Sequence, residues 1–389
     1  MHVEFLGIGK IYTMENKRKG NFRFAAINPY TESNIITAKE TQYAGREYVE
    51  WGDGNQYPEF LKGLYDNVPT LQSIIEGCVD YTAGDEVTIA HQNNIRGDKK
   101  MNLKGDTIDE QIRDVAGDLF LAGGFALQII RNAIGGIAEV YYIDISFLRC
   151  NKECDVFYYS EHWNKGGRKK VVVYPAFMPN LDWNALSDEE RNRHASSILY
   201  VKRSRKKTYP VPCYAAAVKA CEIERCVDDF HLNAINNGFT GSYIINFNNG
   251  VPDDAIKEEI EESFNEKFSG HENAGRIGFS WNPNKESATS IEKVEVEDFG
   301  EKYKSLESNS RQKIFTAFRA NPNLFGIPTE SLGFSQEEYE SAFRLFNRTM
   351  IRPAQKLIAD AYDKIYGETG VLTITPFSMS ENATEKDVM

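Results

Sequence analysis

The stretch PCYAAAVKACEIERCVDDFHLNAINNG, residues 212–238, decides how this chain of 389 residues reads. It opens on proline and closes on Asn237-Gly238, the punctuation that starts and stops a helix. Between them Ala216, Ala220, Ile223, Val227, Phe230 and Ala234 alternate steps of four and three, which predicts one long helix with a sustained apolar seam. Lys219, Glu222, Arg225 and Asp229 take the other side. The small residues at the start of the seam permit a neighbouring helix to pack closely.

Helical periodicity returns further along. Residues 298–319 predict a second long helix, with Tyr303, Leu306, Ile314 and Phe318 on its apolar face. A third opens on a capping box, Ser335 to Glu338, and buries Tyr339, Phe343, Phe346, Met350, Leu357 and Ala361. Pro353 lies inside it and predicts a kink or break. Between the first two helices sits a small α/β segment: strand 243–247, helix 253–268, strands 276–281 and 291–296. Ile256, Ile260, Phe264 and Phe268 stripe its helix. Two long helices flanking such an insert read as a hairpin with the insert at its tip, the geometry of a projecting arm. Asn, Pro and Gly crowd the loop 321–334, and a short strand at 371–375 precedes a polar tail.

Upstream the chain is less regular. Asn28-Pro29, Gly52-Asp53-Gly54-Asn55 and Tyr57-Pro58 are turn signals. A helix is predicted over 70–81. Another follows a Thr107/Glu110 capping box, carries Ile108, Ile112, Val115 and Leu119, and stops at Gly123-Gly124. Residues 126–130 and 137–143 around Gly135-Gly136 predict a β-hairpin, with strand-like runs at 155–159, 171–177 and 198–201 and a polar loop at 184–197. Residues 1–211 form one mixed α/β region on this reading.

Composition sets limits. With 57 acidic and 45 basic residues the net charge is −12, and 41% of residues are hydrophobic, so collagen-like and wholly disordered chains are excluded. No run of 18 apolar residues exists to cross a bilayer, and the start lacks a basic segment before an apolar run, so neither a membrane partner nor a secretory signal is expected. Six cysteines without a CxxC pair read as reduced thiols rather than a disulfide framework. The acidity argues against a simple nucleic-acid binder held by phosphate neutralisation, yet leaves room for a protein that touches DNA without gripping it. Two basic runs, 165–170 and 202–207, interrupt the acidity; they read as solvated loops or as contacts with nucleic acid or an acidic neighbour.

Catalytic and cofactor signatures are missing. Gly7-Ile8-Gly9-Lys10 lacks phosphate-loop spacing, and no nucleophile elbow or zinc-protease helix occurs. Cys150 and Cys154 with His162 come nearest to a metal set but lack a fourth ligand. No enzyme, no metal and no cofactor is expected.

The order of these parts resembles the portal proteins of tailed bacteriophages, of the long-tailed phage and prophage type, over roughly residues 55–375. Residues 117–126 resemble the family's helix-then-strand start and 137–148 its hairpin. Asn236-Asn237-Gly238 resembles its helix-ending motif. Gly270-His271-Glu272-Asn273-Ala274-Gly275-Arg276 resembles its Asn-Ala-Gly turn, and 314–327 with 335–353, ending Ile351-Arg352-Pro353, its closing helix–loop–helix.

The resemblance implies an α+β portal architecture. In it, 1–211 is the wing, 212–238 and 297–320 are the stem helices, and 239–296 is the clip. Residues 321–334 form the tunnel loop, 335–366 a kinked wing or crown helix, and 367–389 a short strand and tail that leave little crown. It implies a ring of identical copies, usually twelve, at one capsid vertex, assembled in the host cytoplasm and retained in the virion. Double-stranded DNA passes through during packaging and ejection. The implied partners are other copies of the chain, the terminase large subunit, the major capsid protein and a head–tail adaptor. Implied channel residues are Asn321, Asn323, Phe325, Thr329, Glu330 and Ser331, with Lys302, Lys304 and Arg311 either facing DNA or bridging neighbouring stem helices. Glu258, Glu261 and Glu262 of the clip would face the motor. The alternatives are another head–tail connector or structural virion protein, and a metal-dependent enzyme acting on nucleic acid.

Overall fold

The computed structural model describes residues 35–90, 99–163, 170–204, 207–236, 243–247, 252–257, 277–281, 299–326 and 336–377. The chain divides into two compact units, one of residues 35–224 with 308–389 and one of residues 1–34 with 225–307.

In the larger unit, α1 (Tyr57–Asn67) and α2 (Pro69–Ala83) are joined through Val68 alone. Each opens on a proline, Pro58 and Pro69, whose fixed φ and missing N–H suit the first helical turn. The turn signal at Tyr57-Pro58 is therefore the start of a helix. α3 (Ile108–Leu121) carries the expected Thr107/Glu110 capping box, and Ile108, Ile112, Val115 and Leu119 are all buried. It stops where Gly123 turns to φ +89°, with room for no side chain: a Cβ there would lie 2.2 Å from the Val211 carbonyl oxygen.

That turn feeds β4 (Gly124–Arg131), the centre of a three-stranded antiparallel sheet between β5 (Ile137–Ile143) and β9 (Ser196–Lys202). As a central strand it buries successive residues, Phe125, Ala126 and Leu127, rather than alternate ones. A second antiparallel sheet holds β6 (Leu148–Cys150), β7 (Val156–Tyr159) and β8 (Val172–Pro175). The expected C-terminal strand is β12 (Leu372–Thr375), paired antiparallel with β3 (Glu86–Ile89); β1 (Glu40–Thr41) and β2 (Glu50–Trp51) make a short ribbon.

The predicted polar loop 184–197 is a correction: it contains α4 (Asp188–His194). The helix buries none of its residues, so no apolar stripe announces it. Its ends hold it instead. Ser187 and Glu190 form a capping box, acids fill the first turn, and Arg191, Arg193 and His194 fill the last, matching the helix dipole.

A buried cation ties the second sheet to the N-terminal segment. Arg149 donates to the carbonyls of Ser146 (2.8 Å), Leu148 (2.7 Å) and Asn55 (2.9 Å), and also to the Asn55 side chain. Its guanidinium lies near the rings of Trp51 and Trp163, and Trp51 stacks on Tyr209 at 4.7 Å. Burial draws Arg149 down to about 10, and the four acceptors are what make a charge tolerable there.

The smaller unit pairs β10 (Tyr243–Phe247) with β11 (Ile277–Trp281) in parallel, from Tyr243 opposite Ile277 to Phe247 opposite Trp281. Parallel neighbours need a crossover, and residues 254–257 are helical within it. The strand, helix, strand order expected from the sequence is thus present; residues 258–268 and 291–296 lie outside the described residues.

The long helices are α5 (Val218–Asn236) and α6 (Phe299–Phe318). In the larger unit Tyr214, just before α5, stacks on Phe318 at 5.2 Å; in the smaller, Phe230 stacks on Tyr303 at 4.8 Å. Of the predicted apolar faces, Ala220, Val227, Ile314 and Phe318 are buried, but Ile223, Phe230 and Leu306 stay 38%, 48% and 46% exposed. The third helix is α7 (Gln336–Phe346), a π-helical turn at Asn347–Ile351, and α8 (Arg352–Tyr366). No helix among the described residues is long and apolar enough to cross a membrane.

Candidate functional site

The loop between the second and third long helices is the segment with a predicted role whose root is well defined. α6 ends at Phe318, Arg319 takes φ +54°, and the chain re-forms as a single 3-10 turn, Pro322–Phe325. Asn321 caps that turn: its side-chain oxygen accepts from the Asn323 N–H at 3.0 Å, with Pro322 at the first helical position. Gly326 ends it in the left-handed region at φ +73°.

The turn is nailed to α2. Leu324 is buried, and its carbonyl accepts from the Tyr81 hydroxyl at 3.1 Å. Phe325 meets the rings of Tyr81, Phe315 and Phe346 at centroid distances of 6.3, 6.0 and 5.7 Å. It lies so close over Gly77 that a Cβ there would come within 2.6 Å of the ring. Glycine inside a helix costs about 1 kcal/mol relative to alanine, and here it lets an aromatic ring rest on the backbone.

The far side of the loop returns to the same residue. Tyr81 meets Phe343 and Phe346 of α7 edge-on at 5.3 and 6.2 Å, and Phe377 at 5.2 Å. Burial pushes its hydroxyl well above the ordinary tyrosine range, so it stays a donor to Leu324. Phe325, before residues 327–335, and Phe343 and Phe346, after them, therefore meet Tyr81 in one aromatic cluster.

The structure sorts the sequence-predicted residues accordingly. Asn321 and Asn323 build the turn, and Phe325, half-buried, anchors it against the core. Thr329, Glu330 and Ser331 lie outside the described residues, as do Glu258, Glu261 and Glu262. Lys304 is exposed and Arg311 half-buried, two turns apart on one face of α6. Lys302 lies on α6 as well. Sequence reasoning missed Tyr81 and Gly77; the signal was a glycine inside a well-patterned helix.

The basic run at 202–207 is partly internal: the Lys202 ammonium donates to the carbonyls of Lys207 and Thr208, at 2.8 and 3.0 Å. Among the described residues no group of three His, Cys, Asp or Glu stands together to hold a metal.

A family model described as phage portal protein matches residues 104–374. The chain belongs to the phage portal protein family. Its fold is shared with a chain in the virion of a native gene transfer agent particle: 16% identity, TM-score 0.51, covering 82% of this chain and 83% of that one. A chain in the neck of that native particle, computed with C12 symmetry, is 16% identical at TM-score 0.48, covering 87% and 86%. A portal protein of the HK97 family from Corynebacterium diphtheriae, solved to 2.9 Å, is 8% identical at TM-score 0.44, covering 80% and 93%. A search of curated proteins finds no match.

Proposed function

We propose that the chain assembles with copies of itself, twelve in number, into a ring at one capsid vertex through which double-stranded DNA is packaged and later ejected. The observation that carries this is the family match, which spans both long helices, the insert between them and the loop after them. A second observation supports self-assembly: Ile223, Phe230 and Leu306, apolar and in helical register with buried neighbours, stay exposed in the single chain. A neighbouring copy is the surface that fits them, through a head-to-tail contact that closes on itself.

On this reading α5 and α6 form the stem, residues 239–296 the clip that meets the terminase large subunit and then a head–tail adaptor, and residues 1–211 the wing against the major capsid protein. Residues 327–331, with Thr329, Glu330 and Ser331, form the tip of a tunnel loop whose root is the Tyr81 cluster. On the same reading Lys302, Lys304 and Arg311 of α6 meet DNA or a neighbouring stem helix. Twelve copies at −12 each carry a formal charge of about −144; such walls disfavour counterion-release binding, so DNA slides rather than sticks.

Deleting residues 327–331 tests the loop while sparing its anchor. The expected result is intact rings with reduced DNA packaging or retention in assembled particles. Wild-type packaging and retention by the shortened variant would remove the loop from the mechanism.

A further inference from the structure

The turn between β6 and β7 holds two thiols that a portal channel does not require. Cys150 ends β6, Cys154 precedes β7, and their sulfurs are 3.8 Å apart. The turn is internally braced. The Asn151 side-chain oxygen accepts from the N–H groups of Asp155 and Val156 at 3.1 and 3.3 Å, and the Cys154 N–H donates to the Asn151 carbonyl at 3.1 Å. This fixes Cys154 at φ +57°, a conformation that side-chain-bearing residues seldom adopt.

A cation completes the group. Lys202, at the end of β9, places its ammonium 3.7 Å from the Cys154 sulfur and is itself held by the Lys207 and Thr208 carbonyls. Cys150 is buried, whereas Cys154 is half-buried and open to a small reagent. The contact with Cys150, with help from Lys202 and against burial and Glu40, draws the Cys154 thiol down, while the same contact and burial push Cys150 up. Elsewhere burial raises Cys213 to about 11 and Cys221 to about 12, and lifts Cys78 as well. Thiolate character gathers at one sulfur with a second thiol beside it, the arrangement of a reactive and a resolving cysteine.

We propose that Cys154 and Cys150 form a peroxide-reactive dithiol, with Cys154 the attacking sulfur and Cys150 the resolving one. The Cys154 thiolate attacks one oxygen of hydrogen peroxide and the O–O bond breaks. The departing hydroxide takes a proton to become water, which leaves Cys154 as a sulfenic acid. The Cys150 sulfur gives up its proton and attacks the Cys154 sulfur; the S–S bond forms, and the sulfenic hydroxyl leaves with that proton as a second water. In sum, two thiols and one peroxide give one disulfide and two waters, with two electrons passing from sulfur to oxygen. The sulfurs close from 3.8 Å to a bond of about 2.05 Å.

The test uses the full chain, treated with hydrogen peroxide near equimolar amounts, alkylated with N-ethylmaleimide and read by intact mass and peptide mapping. Wild type is expected to lose about 2 Da before alkylation, with the Cys150–Cys154 linkage in the map and the other cysteines alkylated. The Cys150→Ser variant should stop at a sulfenic acid on Cys154, captured by dimedone, and Cys154→Ser should form neither product. Lys202→Gln should slow oxidation at least about threefold. First oxidation at the exposed Cys226, an unchanged rate in Lys202→Gln, or equal thiol loss in wild type and Cys154→Ser would overturn the proposal. The wild-type map alone decides the linkage, so the result does not hang on the variants folding.

Discussion

Asp118 shows how much a single residue on α3 decides. Its carboxylate accepts from the Ile145 N–H at 3.0 Å and so joins α3 to the end of the β4–β5 hairpin. Burial, then the charge of Asp144, raises it well above 3.8, even though Lys62 pairs with Asp144 at 2.7 Å nearby. A carboxyl raised on folding binds its proton more tightly in the native state than in the unfolded chain. Its contribution to stability is therefore full below the unfolded value of 3.8 and is lost as pH climbs toward the raised one. Asp118→Asn, which keeps an acceptor and never ionises, should gain stability relative to wild type between pH 4 and pH 7. Urea midpoints at the two pH values measure this, and a relative loss over that range would contradict it. Asp118→Ala should cost about 1–3 kcal/mol at pH 4, because it orphans a buried N–H, and less at pH 7, where wild type carries the penalty of the buried charge.

Elements were legible where a period or a cap was strong. The capping box at Thr107, the glycine stop at 123 and the seam of residues 212–238 gave α3, its end and α5 their places, and strand 243–247 fell where the pattern put it. Elements without a stripe were not legible: α4 rests on its caps and on Arg191 hydrogen bonds to Trp183 and Asn184, and α1 hid behind a proline that read as a turn. Where Pro353 predicted a kink or break, the regular α-helix is interrupted. Proline cannot donate to the Thr349 carbonyl, and the helix answers with a π turn in which the Arg352 N–H reaches back to the Asn347 carbonyl. The loop's channel residues were named from resemblance; that Phe325 packs half-buried on Tyr81 and Gly77, distant in sequence, was not legible. Such long-range packing leaves no local period to read.

The root of α5 is the element contact most open to test. Glu224 accepts from the Thr70 hydroxyl at 2.7 Å and its N–H at 3.4 Å, placing a carboxylate at the N-terminus of α2 where the helix dipole favours it. Glu224→Ala should cost about 1–3 kcal/mol in chemical denaturation, and Glu224→Gln, which preserves an acceptor, about 1 kcal/mol or less. Equal losses for the two would assign the effect to packing.

For the whole molecule, the described residues place an α+β body and a small parallel α/β unit on one chain that leaves by α5 and returns by α6. The insert's residues 253–267 hold seven acids and two bases, a net of −5, a charge better suited to a basic protein partner than to phosphate. Reversing Glu258, Glu261 and Glu262 to lysine should weaken capture of the terminase large subunit in a pull-down while leaving self-assembly intact; undiminished capture would move the docking surface elsewhere. Beneath that lies the claim that copies of this chain close into a ring. The mass of the purified protein in solution tests it most directly. A chain of 44.2 kDa in twelve copies gives a particle of about 530 kDa, which the account predicts, and a protein that stays at 44.2 kDa at every concentration and inside assembled particles would contradict it.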